Sequence, residues 1–146
     1  MSEGIINEGI IIYENAMFWT DGSGILYSKF NNMDSNSKLD YKKANQYIDA
    51  IIKLCDGEPM PFLIDVRDAR GTFSIAAAKL IANNLELVKL RISEAFLINS
   101  IGVSLLITAY KRMYNPVTPF GVFRNMEEAK TYSLETKNQF YGSVHV

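Results

Sequence analysis

Asp65, Arg67, Asp68 and Arg70 place two carboxylates and two guanidinium groups within six residues, and Ser74 follows four positions on. Such a knot can recognise an anion or an acidic segment of another protein through charge-assisted hydrogen bonds. It lacks a clear acid–base pair, because arginine keeps its proton near neutral pH. A plainer role exists for each member: Asp65 as a cap at a strand end, and the others as solvated surface pairs worth little energy. A helix starting at Ile75 would leave backbone N–H groups open at its first turn, and Ser74 can satisfy only part of them. Asp65, Arg67, Asp68, Arg70 and Ser74 are therefore the expected partner-binding surface, with Ser74 either a helix cap or, if modified, a phosphate carrier.

Nucleophilic catalysis by serine or cysteine ordinarily draws on a histidine base, and the single histidine is His145, one residue before the last. Cys55, the single cysteine, falls on the apolar stripe of an expected helix and reads as a small buried apolar residue. It cannot form an internal disulfide, which suits a reducing compartment, so a cytoplasmic location is expected. Glu127 and Glu128 are adjacent, point different ways on a helix and favour its N-terminal dipole instead of a metal. Gly22 and Gly24 form a Gly-x-Gly with no helix directly after it, which is a turn and not a phosphate loop. No catalytic residue, metal or cofactor is expected, and the chain is read as not an enzyme.

The bulk properties agree. A chain of 146 residues with 48% hydrophobic and 21% charged residues has the balance of an ordinary globular domain, and residues 1–146 are expected to form one. With 15 basic against 16 acidic residues the net charge is −1, which gives no electrostatic footprint for nucleic acid. The run Ile101 to Tyr110 is about half the length of a membrane span and contains Gly102, Ser104 and Thr108, so it is assigned to a core. No membrane span is expected.

The elements that must carry these residues follow from periodicity and turn chemistry. Glu8 to Phe30, rich in Ile, Tyr, Phe and Trp and broken at Glu14-Asn15 and Asp21-Gly22-Ser23-Gly24, predicts three short antiparallel strands. Within them Trp19, Tyr13, Tyr27, Phe18 and Phe30 are expected mainly in the core. After a polar loop, Asp40 can cap a helix to Cys55 whose stripe is Ala44, Ile48, Ile51, Ile52 and Cys55; Asp56-Gly57 ends it. Met60 to Val66 is the expected central strand, covered on both faces. A helix from Ile75 breaks at Asn83-Asn84 and resumes from Leu85 to Leu90, followed by a strand at Ala95 to Asn99. Ser100 caps a helix to Tyr114, which Asn115-Pro116 stops. Phe120 to Phe123 is a short strand, and Asn125 with Glu128 opens a last helix from Met126 to Glu135. The remainder, about 136–146, is expected to be a loose tail. Alternating strands and helices after the hairpins imply an α/β fold, a mixed β-sheet with N-terminal antiparallel strands and helices packed on the sheet.

This order, with Phe62-Leu63-Ile64-Asp65-Val66-Arg67, the later Ser74-Ile75-Ala76-Ala77-Ala78, and Phe123-Arg124-Asn125-Met126-Glu127-Glu128-Ala129 after Asn115-Pro116, resembles the STAS or SpoIIAA-like superfamily. The resemblance spans roughly Glu8 to Tyr132 and implies that fold. Phosphorylatable members carry an Asp-Ser-Ser-Gly-like sequence after the central strand, whereas this chain reads Gly71-Thr72-Phe73-Ser74-Ile75, so only Ser74 could stand in. What the resemblance implies for function is a non-catalytic regulatory or protein-interaction module. The aromatic strands and the apolar helix from Ile101 to Met113 support a second reading, a carrier of a small apolar or lipid-like ligand. Edge strands and aromatic surface predict a homodimer.

Overall fold

The computed structural model describes residues 5–7, 9–31, 38–39, 41–69, 72–73 and 80–142. Asp40, Arg70, Ser74 and His145 lie outside them.

Alternating aromatic and aliphatic residues build an antiparallel ribbon of β1 (Ile5–Asn7), β2 (Ile10–Ile12), β3 (Ala16–Trp19) and β4 (Leu26–Phe30). The three strands expected over Glu8 to Phe30 are β2, β3 and β4, and β1 adds a fourth ahead of them, reached through a turn where Gly9 takes φ 78°. The period of two sorts the side chains: Phe18 and Leu26 face one side, Tyr27 and Ile25 the other. Trp19 and Tyr27, paired across β3 and β4, stack with centroids 5.1 Å apart.

The chain then joins the sheet in parallel. β6 (Met60–Asp65) pairs with β4 and with β8 (Arg91–Leu97), and β9 (Phe120–Phe123) closes the far edge, giving the order β1-β2-β3-β4-β6-β8-β9. Pro61, which has no N–H for a ladder, sits where the β6–β8 register shifts between Met60 and Phe62. Two short strands, β5 (Lys38–Leu39) and β7 (Thr72–Phe73), pair separately.

Helix α1 (Tyr41–Cys55) ends as expected, with Asp56 and Gly57 at positive φ. Its stripe, including Tyr47, Ile48, Ile51 and Cys55, packs with Phe18, Leu26 and Phe62 on one face of the sheet. Residues 80–83 are helical, and the Asn84 side chain accepts from the Leu87 N–H to cap α2 (Leu85–Leu90), whose Leu87 and Leu90 join the same core. Helix α3 (Ile101–Tyr114) starts where Ser100 accepts from the Val103 N–H, as read from the sequence. Helix α4 (Met126–Gly142) covers the opposite face, with Ala129 against Leu63 and Ala95; Asn125 caps it by accepting from the N–H groups of Glu127 and Glu128.

Three expectations need correction. The strand read as Ala95 to Asn99 begins four residues earlier, at Arg91, and ends at Leu97, so the charged residues Arg91 and Glu94 belong to an inner strand. Residues 136–142 are helix and not loose tail. Thr136 shares a 2.7 Å hydrogen bond with buried Ser93, Lys137 donates to the Ser23 carbonyl, and Tyr141 donates to the Pro59 carbonyl at 2.6 Å. Gly24, at φ 84°, is the close approach this needs: a Cβ there would stand 2.5 Å from Lys137 Nζ. The run from Ile101 is not core either. Ile101, Leu105 and Leu106 are 66–70% exposed.

Candidate functional site

Two members of the predicted charge knot, Asp65 and Arg67, satisfy each other. Asp65 ends β6 with its side chain only 5% exposed, and Arg67 grips both of its oxygens, Nε to Oδ1 at 3.1 Å and Nη2 to Oδ2 at 2.9 Å. The Arg67 backbone N–H donates to Oδ1 as well, and Asn99 donates to the Arg67 carbonyl at 3.0 Å. Burial pushes the Asp65 carboxyl up, but the bonds and charge of Arg67, helped by Lys29, outweigh it and hold the group below its ordinary value. Asp68 meets Lys29 at 3.7 Å on the surface. The structure thus brings Asp65 and Arg67 together as a strand-end clasp and leaves Asp68 outward. Cys55 is buried in the α1 core, and burial, with a smaller push from Glu58, raises its thiol to about 12, far from a reactive thiolate.

A second constellation escaped the sequence reading. The register across β6, β8 and β9 sets Phe62, Glu94 and Phe120 side by side on one face of the sheet. Over Phe62 lies the Arg91 guanidinium, 5.7 Å from the ring centroid; over Phe120 lies Lys111 Nζ at 5.2 Å. Between these cations Glu94 Oε1 accepts from Lys111 Nζ and from Asn115 Nδ2, the latter at 3.2 Å. Arg91, Glu94, Lys111 and Asn115 are all buried. Two cations face one carboxylate, so the cluster carries a net charge of +1 in a poorly hydrated setting. Arg91 Nη2 donates to the Ile81 carbonyl at 2.9 Å, while Nε stands 3.8 Å from Glu94 Oε2 and, like Nη1, has no hydrogen-bond partner among the described residues. Burial raises the neighbouring Tyr110 hydroxyl to about 12, so it stays protonated.

Lys111 also fixes how α3 sits. Turning that residue inward puts Val103, Ser104, Ile107, Thr108, Tyr110 and Tyr114 on the half-buried side and Ile101, Gly102, Leu105, Leu106, Ala109 and Met113 on the exposed side. The more apolar half of the helix therefore faces out, the reverse of the usual arrangement. Sequence periodicity alone could not have found this, since large aliphatic residues occur on both sides; the signal is the single lysine at helical spacing from Ser104 and Thr108.

A family model, a domain of unknown function designated DUF7793, matches residues 18–137. The chain belongs to the DUF7793 family. No curated protein matches it. Among solved structures it is similar to an uncharacterised DUF3478-family protein from Shewanella loihica PV-4 with a SpoIIAA-like fold. The TM-score is 0.56 at 17% identity, over 86% of this chain and 90% of the other. This DUF7793 member accordingly has the SpoIIAA-like fold that the sequence order implied. Among the described residues no group of His, Cys, Asp and Glu could hold a metal ion, and no helix is long and apolar enough to cross a membrane.

Proposed function

We propose that the protein is a non-catalytic interaction module of STAS type that pairs with a second copy of itself through the outward face of α3. The observation that carries this reading is the inverted helix, with Ile101, Leu105, Leu106 and Met113 each 66–70% exposed along three turns. Water contact at four large apolar side chains is unfavourable by about 25 cal/mol per Å² of apolar surface, and association removes it. The face suits a copy of itself. Its one charged residue, Arg112, lies toward one end, so an antiparallel two-fold pairing about the helix centre keeps the two Arg112 positions about 14 Å apart along the axis, given a 1.5 Å rise per residue. Gly102 and Ala109 let the backbones approach closely, and no carboxylate has to be desolvated on the face. The self-contained Asp65–Arg67 clasp supports a non-catalytic role for this loop, and partner contact through Asp65, Arg67, Asp68, Arg70 and Ser74 is a subsidiary proposal.

Size-exclusion chromatography with light scattering at micromolar concentration should give a dimer for wild type and a monomer with unchanged circular dichroism for Leu105→Glu and Leu106→Glu. A wild-type monomer overturns the pairing. Native mass spectrometry of the same material separates it from the carrier reading, which requires a co-purifying apolar molecule on a monomer.

A further inference from the structure

The strongest unexplained group in the molecule is Arg91. Its side chain is 1% exposed, yet Nε and Nη1 donate to nothing among the described residues. A buried guanidinium N–H without an acceptor loses its hydration and regains nothing, at a cost greater than that of a neutral donor. The surroundings compound this. Glu94 cannot serve Arg91 fully because its Oε1 is held by Lys111 and Asn115 on the far side, which leaves Oε2 3.8 Å from Nε. Two cations and one carboxylate between the rings of Phe62 and Phe120 leave one positive charge uncompensated.

We propose that this cluster is a binding site for a small monocarboxylate, held by Arg91 with Lys111 and Glu94 setting the charge. One carboxylate oxygen accepts from Nη1, and the added negative charge brings the cluster to neutrality. A monoanion fits better than a dianion such as sulfate, which would overcharge the site by one unit and whose stronger hydration is harder to strip. The orphan Arg91 atoms do not reach solvent, so entry requires local opening. The C-terminal end of α3, tied to the strand through Lys111 and Asn115, borders the cluster, and association should therefore be slow compared with surface ion binding.

The test titrates sodium acetate against the wild-type protein at fixed ionic strength set with sodium chloride, following Tm and the Arg91 Nε–H resonance. A saturable rise of roughly 5–10 °C at a hundredfold excess over Kd is expected, together with a shift of that resonance. Arg91→Lys should abolish the saturable part. Glu94→Gln, which raises the cluster charge to +2, should start from a lower Tm and bind acetate about tenfold more tightly. Equal responses in wild type and Arg91→Lys, or no saturable response and an unmoved resonance in wild type, would overturn the proposal and leave Arg91 a structural residue. Sulfate acting as well as acetate through Arg91 would overturn the monoanion assignment. The wild-type resonance decides the matter even if a variant fails to fold.

Discussion

Lys111 of α3 and Glu94 of β8 form an ion pair in which the side chains are only 2% and 6% exposed. A pair this dry is screened little by salt, and its energy lies less in attraction than in the cost of leaving either member alone. Because Arg91 adds a second cation, the two deletions are not equivalent.

Lys111→Met leaves Glu94 balanced by Arg91 and Asn115, so it should destabilise by about 3 kcal/mol, near the low end for a broken buried pair. Glu94→Gln leaves two buried cations and no anion and should cost more. Urea denaturation of both variants checks the order; a milder effect for Glu94→Gln would contradict the charge count.

Thr136 and Ser93 supply a second prediction. Thr136 gives its own proton to the Ser133 carbonyl, so Ser93, which is fully buried, donates to it. Thr136→Val keeps the shape of the site and strands the Ser93 hydroxyl, for an expected loss of about 1–3 kcal/mol. Deletion of residues 136–146 should cost more, since it also removes the Lys137 and Tyr141 bonds to the carbonyls of Ser23 and Pro59. A loose tail could be removed without effect on the thermal transition.

Cys55, with its thiol pushed up to about 12 and buried among α1 core residues, should react with a disulfide reagent only as fast as the protein opens. Cys55→Ala should lower stability by about 1 kcal/mol. Labelling at the rate of a free thiol in native buffer would contradict this placement.

How much of this was legible in the sequence depended on whether the deciding partner was near in the chain. Ser100, Asn115, Asn125 and Asp56-Gly57 act within a few residues, so the limits of α3, the start of α4 and the end of α1 could be read directly. The partners of Glu94, Lys111 and Asn115, come 17 and 21 residues after it, and Arg91 reaches the Ile81 carbonyl and the Phe62 ring, so nothing beside either residue in the chain marks it as buried. The end of α4 has weak periodicity and is held by Ser23, Pro59 and Ser93, all distant in sequence. The orientation of α3 failed for the same reason: composition marked it as apolar, and a tertiary ion pair decided which side looked inward. The charge knot was found, but Asp65 and Arg67 turned out to satisfy each other.

That clasp gives the last prediction, a pH dependence with a definite sign. Asp65 has a folded-state value below its ordinary one, because Arg67 and Lys29 favour the carboxylate more than burial disfavours it. The unfolded chain therefore binds a proton at Asp65 before the folded chain does, and stability falls as pH drops. The contribution is complete above the unfolded value of about 4 and is lost as pH falls through the lower folded value. Asp65→Asn keeps the shape but removes the charge that Arg67 holds in two places, so at pH 7 it should cost about 1–3 kcal/mol. As pH falls through the folded value the gap between wild type and variant should shrink, since protonated Asp65 also binds Arg67 poorly. Urea midpoints measured from pH 7 down to pH 2.5 trace the difference; a gap that stays constant across that range would show that Asp65 is held by shape and not by its charge.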